Sequence, residues 1–271
     1  MELNGTATGV PYVALPPANG KRPDAPVVVA YHLLDAPRTP QAFAAAVPLD
    51  GLDVWKIYFG LPMSGSRLPA GGADELWRML SADAVLKVHR HVTLGALREF
   101  PAAYAEACTQ LGINDDVPRG VMGGSMGGAA AQLVAAETDN ISAAVLINPV
   151  VRLRDSIDGI SARFGAPYTW SPQSDEVAEQ VDFVRRAPEL HNTAIRFITG
   201  ADDWDDAIVA PVKEAVQELQ RHKTTVDHQV VEGMAHPLAD EPGTDAAPQT
   251  QHAATVDRLA ADWFRRHLNP A

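Results

Sequence analysis

Five residues, Gly123-Gly124-Ser125-Met126-Gly127, constrain this chain more than any other stretch. They follow a short apolar run, Gly120-Val121-Met122, and open an Ala-rich helical segment from Ala129 to Ala136. A serine framed by glycines at a strand-to-helix junction describes a sharp turn whose flanking backbones approach closely, so only small side chains fit. The serine in such a turn takes a strained conformation with its oxygen pointing away from the sheet. That geometry suits a nucleophile that meets a carbonyl carbon. Taken alone, the pattern also describes a glycine-rich turn with an idle serine, so the surrounding chain has to decide.

The surrounding chain alternates strands and helices. Val27 to Tyr31 is a β-branched run of buried-strand type, and Tyr12 to Leu15 is expected to lie beside it as an edge strand. Further strands are expected at Val54 to Phe59, Arg119 to Met122, Ala143 to Ile147, Ala194 to Thr199 and Thr225 to Val231, with Asn148-Pro149 stopping the one that ends at Ile147. Thr39 to Val47 reads as a helix with Thr39 as N-cap and Pro40 at its first position. Leu61 to Gly72 reads as a surface loop. Asp74 to Gly112 reads as mainly helical, broken near Thr93-Leu94-Gly95, with Pro101 in the first turn of the following helix. Ala207 to His222 and Thr250 to Leu268 are the last helices. This alternation predicts an α/β fold, a doubly wound, mostly parallel sheet covered on both faces.

One segment breaks the rhythm. Val151 to Thr193 is too long for an ordinary connection and carries an amphipathic stretch from Asp175 to Arg186. We read residues 1–150 and 194–271 as the core, and 151–193 as a small helical cap over the carboxyl edge of the sheet.

A serine hydroxyl is a weak nucleophile unless a base takes its proton, and the base needs an acid to hold its tautomer. In a doubly wound sheet all three belong in loops beyond the carboxyl ends of the strands. The turn after Ala194 to Thr199 holds Asp202, Asp203, Asp205 and Asp206. The turn after Thr225 to Val231 holds His236. Serine, aspartate and histidine thus each follow their own strand, in that order. Four acids in one loop can also form a solvated helix-capping face. His236 stands out from the other histidines by its place after a strand. His89-Arg90-His91 lacks an evident third ligand for a metal site.

The set resembles the α/β-hydrolase superfamily, from about Val27 to Leu268. Gly123-Gly124-Ser125-Met126-Gly127 is similar to that superfamily's nucleophile turn, Gly200 to Asp203 to its acid turn, and Gly233-Met234-Ala235-His236 to its histidine turn. The resemblance implies Ser125 as nucleophile, His236 as base and Asp203 as acid, with Asp155 or Asp158 as alternatives where relatives carry the acid after the preceding strand. It implies acyl transfer to water through an acyl-serine and no cofactor. One oxyanion N–H is expected from Met126 and a second from Leu33 or Leu34, where many relatives carry glycine after a histidine. That leucine departs from the pattern of the hormone-sensitive-lipase branch. His32, Trp170 and Trp204 are expected to line the substrate pocket.

The expected activity is cleavage of small to medium carboxylic esters, because the cap is short. Thioesters and amides are near neighbours. A peptidase is expected to carry a large extra domain. A non-catalytic binder on the same fold is the contrasting expectation, against which the complete set of three speaks. The formal charge of −12 argues against nucleic acid and against strongly anionic substrates. The single cysteine, Cys108, excludes an internal disulfide and a multi-cysteine metal site. No apolar stretch reaches the ~20 residues of a membrane span, and no signal peptide is seen at the N-terminus. A cytoplasmic enzyme is therefore expected, with a homodimer left open.

Overall fold

The computed structural model describes residues 2–268. Eight strands form one sheet: β1 Leu3–Ala7, β2 Val10–Leu15, β3 Val27–Tyr31, β4 Trp55–Phe59, β5 Arg119–Gly124, β6 Ile141–Ile147, β7 Ala194–Gly200 and β8 Val226–Val231. Their spatial order is β1-β2-β4-β3-β5-β6-β7-β8. β1, β2 and β4 pair antiparallel; every pairing from β4 to β8 is parallel. Because β3 is flanked by β4 on one side and β5 on the other, the winding reverses between β3 and β5. Ligand sites in open α/β sheets lie at such a reversal.

The central strands are buried on both faces, which is why they read as unbroken apolar runs. In β3, Val27, Val29 and Tyr31 point into one core, and Val28 and Ala30 into the other. The first core is covered by α3 Arg90–Leu111, α4 Ser125–Glu137, α5 Leu153–Arg163 and α7 Ala210–Arg221; the second by α1 Pro40–Ala46 and α8 Gln251–Leu268. α1 begins as its sequence demands: the Thr39 hydroxyl accepts the Ala42 N–H at 3.1 Å, and Pro40 opens the first turn.

Two expectations about local structure are corrected. Tyr12 to Leu15 does not lie beside Val27 to Tyr31; β2 pairs with β4, and β1 is the edge strand. β1, Leu-Asn-Gly-Thr-Ala, is exposed at alternate positions, so its sequence lacks the apolar run that marks the other strands. The long helical region breaks not near Thr93 but earlier, at Asp83. This residue, near the end of α2 Gly72–Ala84, has φ −168° and ψ 95°, and a π-helical turn spans Val85–His89. α3 then runs through Gly95 and Pro101. Asp83 accepts the Leu86 N–H at 2.8 Å, capping the restarted helix, and its side chain also receives the Tyr168 hydroxyl at 2.7 Å.

That second bond ties residues 151–193 to the body of the protein. This segment forms α5, α6 Pro172–Gln180 and a short 3-10 turn at Ala187–Leu190. The Asp175 to Arg186 stretch is only partly helical, since α6 ends at Gln180. Arg154 packs over the Trp170 ring at 4.0 Å and pairs with Asp175, joining α5 to α6.

Asp257 of α8 is partly buried, and its Oδ1 accepts the Leu49 N–H at 2.6 Å. Burial pushes its carboxyl up to about 6, reinforced by Asp50 and offset in part by the Leu49 N–H, Gln249 and Lys56. A folded-state value above the unfolded one means the contribution to stability is full in acid and is lost as pH rises through 6. Asp257→Asn keeps the acceptor and removes the charge. It is expected to stabilise the fold by about 2 kcal/mol at pH 8 and hardly at all at pH 4, read as the difference in Tm between the two conditions.

Candidate active site

The turn after β5 has the strain its sequence implies. Ser125 has φ 50°, a conformation that costs a non-glycine residue ~1–3 kcal/mol. It persists because nothing else fits around it. A Cβ on Gly123 would lie 2.1 Å from the Gly127 carbonyl oxygen. A Cβ on Gly127 would lie 2.2 Å and 2.4 Å from the carbonyl oxygens of His32 and Tyr31. The start of α4 is thus pressed onto the end of β3, and only glycine allows it.

Ser125, Asp203 and His236 are brought together. His236 Nε2 lies 2.9 Å from Ser125 Oγ, and Nδ1 lies 2.9 Å and 3.1 Å from the two Asp203 carboxylate oxygens. A carboxylate can only accept, so the imidazole proton sits on Nδ1 and Nε2 is free to accept the serine O–H. Asp203 Oδ1 also accepts the Trp204 N–H at 2.7 Å, which holds the carboxylate in place. The competing acids are elsewhere. Asp206 is exposed and pairs with Arg163 at 2.5 Å, Asp205 faces Lys213 at 3.7 Å, and Asp202 is exposed. Asp155 pairs with Arg152, and Asp158 accepts the Trp170 indole N–H.

Asn148 is legible in the sequence only as the end of a strand, and the structure gives it more to do. It is fully buried, with φ 40°. Its amide N–H groups reach the Ala235 and His236 carbonyls, both at 3.0 Å, and its Oδ1 accepts the Gly200 N–H at 2.8 Å. One side chain thereby joins the ends of β6 and β7 to the histidine loop. Asn148→Asp would set an acceptor against two carbonyls. It is expected to cost about 2 kcal/mol in a denaturant titration and to misplace His236.

The loop after β3 needs two corrections. The Leu33 N–H is already donated to the Pro37 carbonyl at 3.2 Å, and the Leu33 side chain is buried against Gly124. The Leu34 N–H, by contrast, has no acceptor among the described residues. Met126, second in α4, likewise has no helical acceptor one turn back. His32 does not line a pocket. Its ring is 1% exposed, Nδ1–H donates to the Leu33 carbonyl at 2.6 Å, and Nε2 accepts the Leu61 N–H at 3.1 Å. Burial pushes its pKa down to about 4, the Leu33 bond opposing and Arg67 adding to the effect. His32 is thus a neutral clamp on the peptide plane that presents the Leu34 N–H.

Trp204 does lie at the site, stacked on the His236 ring with centroids 5.2 Å apart and planes 6° from parallel. Arg163 packs on the same indole at 5.5 Å. Trp170 is held by Asp158, Arg154 and Tyr168 within residues 151–193. Sequence reasoning misses Asp35. Its Oδ2 lies 3.6 Å from His236 Nε2, on the serine side of the ring. Burial lowers the His236 pKa, but the Asp203 hydrogen bond, the Asp203 charge and the Asp35 charge outweigh it, so the pKa is raised. The His236 Cε1–H resonance is expected to titrate above the ordinary histidine range, ~6.5, by NMR, and Asp35→Asn is expected to lower that midpoint. Among the described residues no helix is long and apolar enough to cross a membrane, and no group of three or more His, Cys, Asp and Glu is placed to hold a metal ion.

The architecture and its relatives define the class. Over the full chain the fold matches TT1662 from Thermus thermophilus, with TM-score 0.70 and 18% identity over 99% of that protein. It also matches Pyrococcus horikoshii acylaminoacyl peptidase, with TM-score 0.69 and 15% identity; the chain spans 42% of that peptidase's length. A mutant of esterase rPPE matches with TM-score 0.62 and 17% identity over 83% of its length. No match is found among curated proteins. The protein is a serine hydrolase of the α/β-hydrolase superfamily. Residues 97–271 match the family model of the prolyl oligopeptidase family, a stretch that includes Ser125, Asp203 and His236, and the chain belongs to that family.

Proposed function

We propose that the protein hydrolyses small to medium carboxylic esters through an acyl-serine intermediate. The observation that carries the reading is the unbroken relay from Ser125 Oγ through His236 to the Asp203 carboxylate, each link 2.9 Å at its shortest. His236 Nε2 takes the Ser125 proton as Oγ bonds to the carbonyl carbon. The oxyanion is met by the N–H groups of Met126 and Leu34. The leaving group departs with the proton from Nε2, and water repeats the sequence to free the acid. Asp203 stays ionised and stabilises the imidazolium. Residues 151–193 act as a cap, their compact size favouring substrates with short acyl chains. No cofactor takes part, and the enzyme works in the cytoplasm.

Membership of the prolyl oligopeptidase family and the likeness to an acylaminoacyl peptidase favour a second reading, in which the same residues cleave an amide or peptide bond. The family match speaks for a peptidase, and the chain spans 42% of the acylaminoacyl peptidase it resembles. Competition between p-nitrophenyl esters of increasing chain length, thioesters and aminoacyl anilides decides between them. A fluorophosphonate is expected to label Ser125 alone. Ser125→Ala and His236→Ala are each expected to lower kcat by ~10⁴–10⁶. Near-normal turnover in Ser125→Ala rejects the mechanism.

A further inference from the structure

We propose that Asp35 selects substrates whose leaving group carries a positive charge, such as amino-alcohol esters or amides of diamines. This rests on the serine-hydrolase reading above and specifies the substrate class of the same site. Asp35 sits at the tip of the loop after β3. The loop is fixed on both sides of it: Leu33 N–H donates to Pro37 O, Leu238 N–H to Ala36 O at 2.9 Å, and Arg38 N–H to Gly243 O at 2.8 Å. The Asp35 side chain is half exposed, so it meets incoming ligand. Its one ion-pair partner among the described residues is the His236 ring, at 3.6 Å from Nε2.

Nε2 is the atom that hands its proton to the departing group. A carboxylate beside Nε2 therefore stands beside the leaving group rather than across the carbonyl from it. The basic residues of the surrounding loops are already committed. Arg38 forks onto Glu241 at 2.6 Å and 2.7 Å, Arg163 pairs with Asp206, and Arg67 pairs with Glu99. Among the described residues no Lys or Arg pairs with Asp35, whose half-exposed carboxylate faces only the His236 ring. A negative charge there disfavours an anionic leaving group and attracts a cationic one. With a choline ester, the Ser125–acyl bond forms, the acyl–oxygen bond breaks, and the choline oxygen takes the proton from Nε2 while its ammonium remains against Asp35. In the second half-reaction water gives its hydroxyl to the acyl carbon and its proton, through Nε2, to Ser125 Oγ, so the sequence balances as hydrolysis.

The test compares acetylcholine with 3,3-dimethylbutyl acetate, in which carbon replaces the charged nitrogen at nearly constant shape. The ratio of kcat/KM for the two is read in the wild-type protein and in Asp35→Asn at one pH, so any change in the fraction of neutral His236 cancels. The wild-type ratio is expected to exceed about tenfold, to fall with added salt, and to drop at least about fivefold in Asp35→Asn. A wild-type ratio near one, or a ratio that Asp35→Asn leaves in place, overturns the proposal. Where neither acetate turns over, the same comparison is made by the rate at which Ser125 is phosphorylated by organophosphates with thiocholine or 3,3-dimethylbutanethiol as the leaving group. Equal labelling rates overturn the role of Asp35 alone. Absence of Ser125 labelling by either reagent overturns the serine-hydrolase reading instead.

Discussion

The first turn of α4 rests directly on the last residues of β3, and no side chain can stand between them. At Gly127 a methyl group would collide with two main-chain carbonyls, those of Tyr31 and His32. This contact does more than accommodate a strained serine. It sets the height of Ser125 relative to the loop that follows β3, so the nucleophile and the unpaired N–H of Leu34 share one corner of the sheet. The reversal of winding makes β3 and β5 neighbours although they lie far apart in the chain, with Val29 set opposite Val121. The N-terminal end of α4 also brings a positive partial charge to this corner, where negative charge develops in acyl transfer.

Around that corner the other loops are held by buried hydrogen bonds rather than by packing alone. Asn148 satisfies the carbonyls of Ala235 and His236 and the N–H of Gly200, the last two in buried bonds that would otherwise leave main-chain groups unpaired. Gly200 has its own close approach, since a Cβ there would lie 2.0 Å from the Met234 carbonyl oxygen. The acid turn and the histidine turn are therefore one rigid unit. His236 lies in that unit between two carboxylates, stacked on Trp204, and its charged form is favoured from both edges of the ring.

Much of this is readable along the chain. The buried strands declare themselves because both faces of a parallel sheet are covered, and the N-cap of α1 is a local matter of Thr39 and Pro40. β1 escapes notice because an edge strand with one solvated face has no apolar run. The helix break at Asp83 escapes because its side chain is committed to a tertiary bond from Tyr168, and Gly95 and Pro101 are tolerated where they lie. The four acids after β7 look alike in sequence; burial against His236 separates Asp203 from Asp202, Asp205 and Asp206, which face solvent or basic partners. His32 and Leu33 show the same limit. Their spacing marks the loop correctly, but which N–H is free and which ring is committed depends on Pro37 and Leu61.

The amino-acid sequence by itself determined the fold class, the strand-to-helix turn at Ser125 and the order of serine, aspartate and histidine, because periodicity, capping and close glycine contacts are short-range effects written in adjacent residues. Only the tertiary structure decided which aspartate faces the imidazole, that Asn148 staples the loops, that Leu34 rather than Leu33 keeps a free N–H, and that Asp35 stands beside Nε2. These depend on distances between residues far apart in the chain, and electrostatic and hydrogen-bond energies change over a few ångströms that no local pattern encodes.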